Sequence, residues 1–378
     1  MNIYEFTLPQ KIIFGWGALE TAGKESSLLG KKCLVVTGQH SMKRMGFTDV
    51  LEGSLAKKGL EAVIYDKAEE DPSLNTVDMG LEMGRKSGCD LVIGLGGGSA
   101  MDTAKSIAGI FREGTNSIRE FYDGVRTAIH GIPFIAIPTT SGSSAEVTNN
   151  AVLTDTENGI KKSVRSPEFL ARVVIIDPEL TLGLSPRQTA ISGIDALTHA
   201  IEGYVSLGAT PWTDALALKA IELIGKNLHK AFLDVGNKKA REGMSMASLM
   251  AGMAFSNAKL GAVHALAHPV GIRYKISHGA ACAILLPVVI EFNLTAGKKK
   301  FKEIKKTLNM PGGMATALID GIKKLTESLG LPVDLSQFGA KEEDFDELIR
   351  GTASSSSLKS NPRTASNEDL RWMLKRAL

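Results

Sequence analysis

The sequence has few cysteines, little net charge and no long apolar run, and each of these absences argues against a class of protein. Its three cysteines, Cys33, Cys89 and Cys282, are odd in number and far apart, which argues against a disulfide framework and favours a reducing compartment. A net charge of only +3 over 378 residues argues against nucleic acid as a partner. We see no signal peptide and no apolar run of about eighteen residues, and therefore expect a cytoplasmic protein with no membrane partner.

What the chain does contain is apolar material for two domains. Hydrophobic residues make up 43% of the chain and charged residues 22%, as in ordinary globular proteins. Helical patterns separate several of the short β-branched runs, which predicts a mostly parallel sheet; these runs lie at residues 32–38, 60–66, 90–98, 132–140 and 171–177. Beyond "DPELTLGLSPRQ" (177–188) the periodicity is helical. We predict an α/β domain over residues 1–182 and an all-α domain over residues 183–378.

A glycine-rich turn follows the third predicted strand in "DLVIGLGGGSAMDTAK". Gly96, Gly97 and Gly98 carry no side chain, so the backbone can come close to a ligand, and we expect Ser99 to cap a helix that begins near residue 100. The N–H groups of such a helix favour a pyrophosphate. The match to G-x-G-x-x-G is imperfect because Ser99 takes the third place. The turn predicts dinucleotide binding, with a tight turn without ligand as the alternative.

A second loop, "IPTTSGSSAEVTNNAVLTD" (137–155), is dense in hydroxyl groups. Thr139 and Thr140 can line the sugars and phosphates of a cofactor. A polar surface loop without a ligand explains the composition equally well. Asp102, on the helix after the glycine turn, and Lys161 complete the candidate cofactor residues on these segments.

Three of the seven histidines lie within fifteen positions, at 264, 268 and 278. Residues four apart share one face of a helix, so Asp195 projects with His199 and His264 projects with His268. Asp195, His199, His264 and His278 can offer a carboxylate and three imidazoles to Fe2+, Zn2+, Mn2+ or Co2+, since no thiolate biases the choice. The alternative is a set of unrelated helical histidines.

Glu202 lies three residues after His199 on nearly the same helix face. A carboxylate in that place can orient a metal-binding histidine. We interpret Glu202 instead as an acid on the helix surface.

Several motifs together resemble the iron-containing (group III) alcohol dehydrogenase family, from residue 11 to about 293. They are "GLGGGSAMDTAK", "IPTTSGSSAEVT", "DPELT", "GIDALTHAIEGYVS", "GAVHALAHPVG" and "SHGAACAILLPVVIEFN". The resemblance implies an N-terminal dinucleotide-binding domain, an all-helical C-terminal domain and an active site in the cleft between them. It also implies one metal, commonly iron, on Asp195, His199, His264 and His278. His268 is similar to the family's non-ligand histidine, which leaves it available for proton transfer.

The resemblance further implies an NAD(P)-dependent enzyme that interconverts a primary alcohol and an aldehyde, as a homodimer or higher homo-oligomer. The segment "SGSSAEVT" departs from the family's common "AGTGSEVT", so only Thr139 and Thr140 are assigned the family's loop role. A glycerol dehydrogenase-like polyol oxidoreductase, a dehydroquinate-synthase-like lyase and a non-enzymatic nucleotide-binding module are the alternatives. Few basic residues, chiefly Lys259, Arg273 and Lys275, lie near the candidate metal residues, which weighs against the lyase.

The end of the strand over residues 32–38 bears on the choice of nicotinamide cofactor. In the family, members that prefer NAD often have an aspartate at the position of Gly38, where it binds the ribose hydroxyls and repels a 2′-phosphate. Here that carboxylate is absent, and Ser41 and Lys43 offer donors to a phosphate. We therefore predict a preference for NADP over NAD, the alternative being that Gly38 only ends a strand.

Overall fold

The computed structural model describes residues 3–312, 316–353 and 355–378, which form two compact units. The first unit comprises Thr7–Thr140 and Ser144–Gly183. The second comprises Leu184–Leu378, joined by residues 3–6 and by Ser141–Ser143. The change of unit after Gly183 lies one residue from the boundary that we placed at residue 182. The sequence does not predict that these two short segments belong to the second unit, because neither changes the helical or strand periodicity around it.

The first unit contains the predicted parallel sheet. Its strands are β1 Lys11–Phe14, β2 Lys32–Gly38, β3 Glu61–Ala68, β4 Leu91–Gly96, β5 Phe134–Pro138 and β8 Val173–Ile176. They lie in the order β1-β8-β5-β4-β2-β3, and all neighbouring pairs are parallel. Strand β4 is buried along its whole length, because helices cover both faces of such a sheet and its residues are apolar or glycine. Thr37 of β2 pairs with Leu95 of β4, and Gly96 of β4 pairs with Pro138 of β5, so these three strands end together at the edge where the glycine turn begins.

Helices connect these strands, as the alternating patterns predict. They are α1 Ala22–Ser27, α2 Ser41–Arg44, α3 Phe47–Ala56, α4 Leu74–Lys86, α5 Gly98–Ile110 and α6 Arg119–Tyr122. Ser73 caps α4 by accepting the N–H of Thr76. An antiparallel hairpin that the sequence analysis missed, β6 Asn150–Asp155 and β7 Ile160–Arg165, follows the hydroxyl-rich loop.

The second unit is helical throughout its described residues, as predicted. Its helices are α7 Pro186–Val205, α8 Pro211–Leu233, α9 Lys238–Ala258, α10 Ala262–Tyr274, α11 His278–Thr307, α12 Ala317–Ser328, α13 Phe345–Ala353 and α14 Asn367–Ala377. Helix α7 starts at a capping box, in which Ser185 and Gln188 satisfy each other's backbone N–H groups and Pro186 occupies the first turn. A single apolar core runs between α7 and the helices that surround it. The candidate metal residues lie on helices that pack around this core.

Helix α11 corrects the expectation that no segment is long and apolar enough to cross a membrane. It has 30 residues and passes that test by length and composition. However, 78% of its apolar window is buried inside the protein, and the helix is interrupted at Gly297, where φ is −120° and ψ is 22°. The apolar run is explained by the core that it fills.

Candidate metal centre and cofactor loop

The candidate metal residues meet around one oxygen of Asp195. Helix α7 carries Asp195 and His199, α10 carries His264, and α11 begins at His278. The Nε2 atoms of His278, His264 and His199 lie 3.6, 3.7 and 4.0 Å from Asp195 Oδ1. Asp195, His199 and His264 are buried, whereas the side chain of His278 is 28% exposed. The structure thus brings together all four residues that the sequence proposed as ligands.

These side chains fit a divalent cation. Donors bound to one ion at about 2.0–2.2 Å stand roughly 3–3.5 Å apart, so the observed separations are a few tenths of an ångström larger than a filled site requires. His264 Nε2 is buried and has no hydrogen-bond partner in the described structure. A buried nitrogen left unpaired costs free energy, and a cation beside Asp195 Oδ1 would satisfy it.

Two acceptors orient the imidazoles. The carboxylate of Glu202 accepts hydrogen bonds from His264 Nδ1 at 2.7 Å and from the Val263 N–H at 2.7 Å. The carbonyl of Gly142 accepts from His199 Nδ1 at 3.2 Å. Each bond fixes the tautomer that turns Nε2 toward Asp195. Our interpretation of Glu202 as a surface acid is wrong, because its side chain is buried (3% exposed) against α10.

The charges of the three buried groups differ because their neighbours differ. Burial lowers the pKa of His199 to about 4, which the nearby carboxylate of Asp195 only partly offsets. Burial acts in the same direction on His264, but the neighbouring carboxylates of Asp195 and Glu202 raise its pKa to about 9. Burial opposes ionisation of Asp195, yet the surrounding imidazoles hold its pKa well below the usual range. An ionised carboxylate is therefore available to a cation.

Ring packing separates His268 from the donors. His199 stacks between Phe255, at 4.2 Å between ring centroids, and His264, at 4.5 Å. His268 is half-buried and stacks on the His278 ring at 5.1 Å, with 22° between the planes. His268 is therefore next to the donor group without being a member of it.

Cys282 is a candidate donor that the sequence analysis missed. Its Sγ lies 3.9 Å from Asp195 Oδ1 and 3.8 Å from His278 Nε2, and single donor atoms of Asp195, His264, His278 and Cys282 all lie within 4.8 Å of one another. Burial and the Asp195 carboxylate raise the pKa of the thiol well above its ordinary value. A thiol therefore lies beside a donor set that the sequence analysis described without sulfur. The sequence signal for Cys282 was its position four residues after His278, which places both side chains on one face of α11.

The glycine turn joins β4 to α5. Helix α5 begins at Gly98 with Gly97 as its N-cap, so Ser99 lies in the first turn and the predicted cap at Ser99 is wrong. Gly96 has a φ of +155°, and a Cβ there would lie 2.7 Å from the side chain four residues later. A Cβ on Gly97 would approach Thr140 Cγ2 to 3.3 Å. The absence of side chains lets the turn close tightly and leaves the N–H groups of α5 at its surface.

The remaining candidates on the first unit have different surroundings. The N–H of Thr139 donates to the Gly96 carbonyl at 2.9 Å, which places Thr139 beside the glycine turn. Asp102 is buried and accepts the Val152 N–H at 3.0 Å. Lys161 Nζ lies 2.5 Å from the Asp71 carboxylate. Asp102 and Lys161 thus already have protein partners.

Gly38 ends β2 beside Ala68 of β3. A Cβ on Gly38 would have one neighbour, the Ala68 carbonyl oxygen at 3.6 Å, which is an ordinary contact. Ser41 and Lys43 are exposed on the short α2 that follows. A side chain at position 38 is therefore sterically acceptable.

The sequence and the structure match one group of known proteins over almost their full length. A family model described as iron-containing alcohol dehydrogenase matches residues 9–178, and the C-terminal model of the Fe-containing alcohol dehydrogenase family matches residues 189–378. The chain is 37% identical over 376 residues to an NADPH-dependent butanol dehydrogenase of Clostridium saccharobutylicum, covering 97% of this chain and 96% of that protein. It is 35% identical over 381 residues to an NAD-dependent methanol dehydrogenase of Bacillus methanolicus, covering 99% of each. A 1,3-propanediol oxidoreductase crystal structure matches with a TM-score of 0.94 at 36% identity, over 100% of both chains.

Proposed function

Because this chain belongs to the iron-containing alcohol dehydrogenase family, and is thus an oxidoreductase acting on alcohols and aldehydes with a nicotinamide cofactor, we propose that Asp195, His199, His264 and His278 hold its iron. A bound Fe2+ supplies Lewis-acid polarisation of a substrate oxygen, and the nicotinamide donates or accepts the hydride. The observation that supports the assignment best is the convergence of three imidazole nitrogens within 4.0 Å of Asp195 Oδ1.

The protein's own contribution is a charged and oriented set of donors. Asp195 provides a negative charge in a buried place, where electrostatic attraction to a cation is strong. Glu202 and the Gly142 carbonyl hold His264 and His199 in the tautomers that expose Nε2. Orientation by such hydrogen bonds also raises the basicity of the imidazoles.

His268 is the group we assign to proton transfer. Oxidation of an alcohol releases the hydroxyl proton, and imidazole is the side chain suited to carry it near neutral pH. His268 is half-buried, stacks on the His278 ring and lies outside the donor group. It can therefore exchange a proton while the donors stay in place.

For the cofactor, we assign the pyrophosphate to the N–H groups of Gly97, Gly98 and Ser99, with Thr139 and Thr140 beside them. Asp102 and Lys161, whose protein partners are in place, act as positioning residues for this loop. The preference for NADP rests on Gly38, Ser41 and Lys43. The two relatives named above use different nicotinamides, so their names do not decide the preference.

We propose a short primary alcohol or its aldehyde as the substrate, in a cytoplasmic homodimer or higher homo-oligomer. The named relatives act on butanol and methanol, which supports the substrate class. Tyr4 and Trp212 form an exposed apolar surface, with their rings 6.5 Å apart, that supports self-association. Light scattering coupled to size exclusion measures the oligomeric state.

The decisive experiment is turnover of a panel of alcohols by protein purified without oxygen and analysed for metal. We expect one iron per chain and reduction of NADP+ by short primary alcohols. Loaded protein that oxidises only glycerol would favour the polyol oxidoreductase instead. Loaded protein that consumes no alcohol and produces no reduced nicotinamide would contradict the proposal.

A further inference from the structure

The buried thiol of Cys282 lies against the proposed iron site on the side of His278. Its side chain is 0% exposed, and its Sγ is 3.8 Å from His278 Nε2 and 3.9 Å from Asp195 Oδ1. Both distances are longer than the donor–acceptor distance of a strong hydrogen bond. They are close to the roughly 3.4–3.6 Å that separates a sulfur from a nitrogen or oxygen on one tetrahedral ion.

A second observation points to a ligand at the same place. His264 Nε2 is buried, has no hydrogen-bond partner in the described structure and lies 3.7 Å from Asp195 Oδ1. Its Nδ1 is already bonded to Glu202, so the ring cannot turn to satisfy Nε2 without losing that bond. The four donors of Asp195, His264, His278 and Cys282 lie within 4.8 Å of one another, so small side-chain shifts would bring them onto one ion.

We propose that Cys282 is an alternative metal ligand, recruited when a thiophilic ion such as Zn2+, Cd2+ or Co2+ occupies the site. This inference rests on the proposed function, in which iron takes His199 rather than the thiol. The hard carboxylate and imidazoles suit Fe2+, while the thiolate favours softer ions. Binding replaces the S–H bond by a metal–sulfur bond and releases one proton to solvent.

The alternative set has a consequence for the enzyme. Asp195, His264, His278 and Cys282 would complete a four-coordinate shell from protein donors alone. Catalytic zinc sites keep one position open, whereas closed four-donor shells are typical of structural sites. Zinc or cadmium held by this tetrahedral set would have no position for a substrate oxygen, whereas Fe2+ accepts more than four ligands and would keep a position open beside its four protein donors. The activity of the enzyme would then depend on which metal is bound.

Cobalt absorption tests the thiol directly. Apoprotein of the full chain is reconstituted with Co2+ without oxygen, and the spectrum is recorded from the near ultraviolet to the visible. We expect a thiolate-to-cobalt charge-transfer band in the wild type and its loss in Cys282→Ser, with the visible cobalt bands kept. Cys33→Ala and Cys89→Ala, which remove the other two free buried thiols, are matched controls that should keep the band.

Metal competition gives a second measure. A direct donor contributes at least as much as an outer hydrogen-bond partner, so Cys282→Ser should weaken Cd2+ relative to Fe2+ by about tenfold or more. X-ray absorption at the zinc edge of the wild type needs no variant and should show one sulfur neighbour. This measurement covers the case in which Cys282→Ser does not fold.

The outcomes separate the two proposals. Stoichiometric cobalt with visible bands but no charge-transfer band, or a zinc edge without sulfur, overturns the role of Cys282 and leaves the iron site standing. Failure of the wild type to bind any divalent ion overturns both. A band that survives in Cys282→Ser and disappears in Cys33→Ala or Cys89→Ala assigns the thiolate elsewhere and also overturns the inference.

Discussion

Asp195 is the residue on which the proposed metal centre depends most. It alone among the proposed iron ligands carries a negative charge, and three imidazoles face its Oδ1. We expect Asp195→Ala and His264→Ala each to lose the metal, since either change removes a donor and leaves buried polar neighbours uncompensated. Elemental analysis gives the metal-to-protein ratio. His229→Ala, at an exposed histidine of α8, is the control that should stay loaded; a loaded and active Asp195→Ala would refute the ligand assignment.

His268→Ala should separate proton transfer from metal binding. The ring stacks on His278 but lies outside the donor group, so we expect the variant to retain its metal. Loss of a general acid–base group lowers turnover by about a hundredfold or more. Steady-state kcat, together with metal content, checks both parts. Loss of metal as complete as in His264→Ala would show that His268 is itself a ligand.

Gly38→Asp should move the cofactor preference toward NAD. The position tolerates a side chain, because the nearest atom to a Cβ is 3.6 Å away. A carboxylate there accepts hydrogen bonds from ribose hydroxyls and repels a 2′-phosphate. The measurement is kcat/KM for both cofactors at saturating alcohol. A wild type that favours NAD by about tenfold, or roughly 1.4 kcal/mol, overturns the NADP preference.

At the scale of elements, the pairing of α7 with α10 orients the residues of the proposed metal centre. Glu202 on α7 accepts from His264 and from the Val263 N–H on α10. Glu202→Gln keeps the size of the side chain but removes its charge, and we expect metal affinity to fall by about 10–100-fold. Chelator competition measures the affinity, and Glu222→Gln on α8 serves as a control. Equal affinities of wild type and Glu202→Gln would reduce Glu202 to a role in helix packing.

Helix α5 is likewise tied to the loop that follows β5. Lys105 is fully buried, and its Nζ donates to the Thr148 Oγ1 at 2.8 Å and to the Asn150 carbonyl at 2.9 Å. Asp102, one turn earlier, lies 3.7 Å from the same ammonium. These contacts hold the helix with the glycine turn against residues 145–150, which explains why Asp102 faces inward.

At the scale of the whole molecule, two buried groups of the first unit make stability depend on pH. Burial raises the pKa of Glu146 to about 7. Its contribution to the free energy of unfolding is therefore fully present below about pH 4.5 and is lost as the pH rises through 7. Burial lowers the pKa of Lys105 to about 8. Its contribution to the free energy of unfolding is therefore present above about pH 10.5 and is lost as the pH falls through 8. These two groups together make the unit least stable between about pH 7 and pH 8.

Glu146→Gln should therefore stabilise the protein at pH 7.5 and have little effect at pH 4.5. The expected gain in the free energy of unfolding at pH 7.5 is on the order of 2–3 kcal/mol, since one pKa unit corresponds to about 1.4 kcal/mol. Urea denaturation at the two pH values measures it. A variant equally or less stable than the wild type at pH 7.5 would show that Glu146 stays ionised at little cost in the folded protein.

The class of each domain could be predicted from the sequence because its signals are local. A β-branched run reads as a buried strand and a four-residue spacing reads as one helix face, whatever the rest of the chain does. The parallel sheet over the first half and the helices after residue 183 follow from such patterns, and so does the pairing of Asp195 with His199. The resemblance of the motifs then named the proposed ligands, which periodicity alone left open.

Only the tertiary structure decided which distant groups meet. Strand β1 pairs with β8 across about 160 residues, and Glu202 meets His264 across 62. Cys282 approaches Asp195, 87 residues earlier, through the packing of α11 on α7. Helix periodicity states which face a side chain occupies but not which other face it is packed against, because helix packing depends on the shape of the whole core.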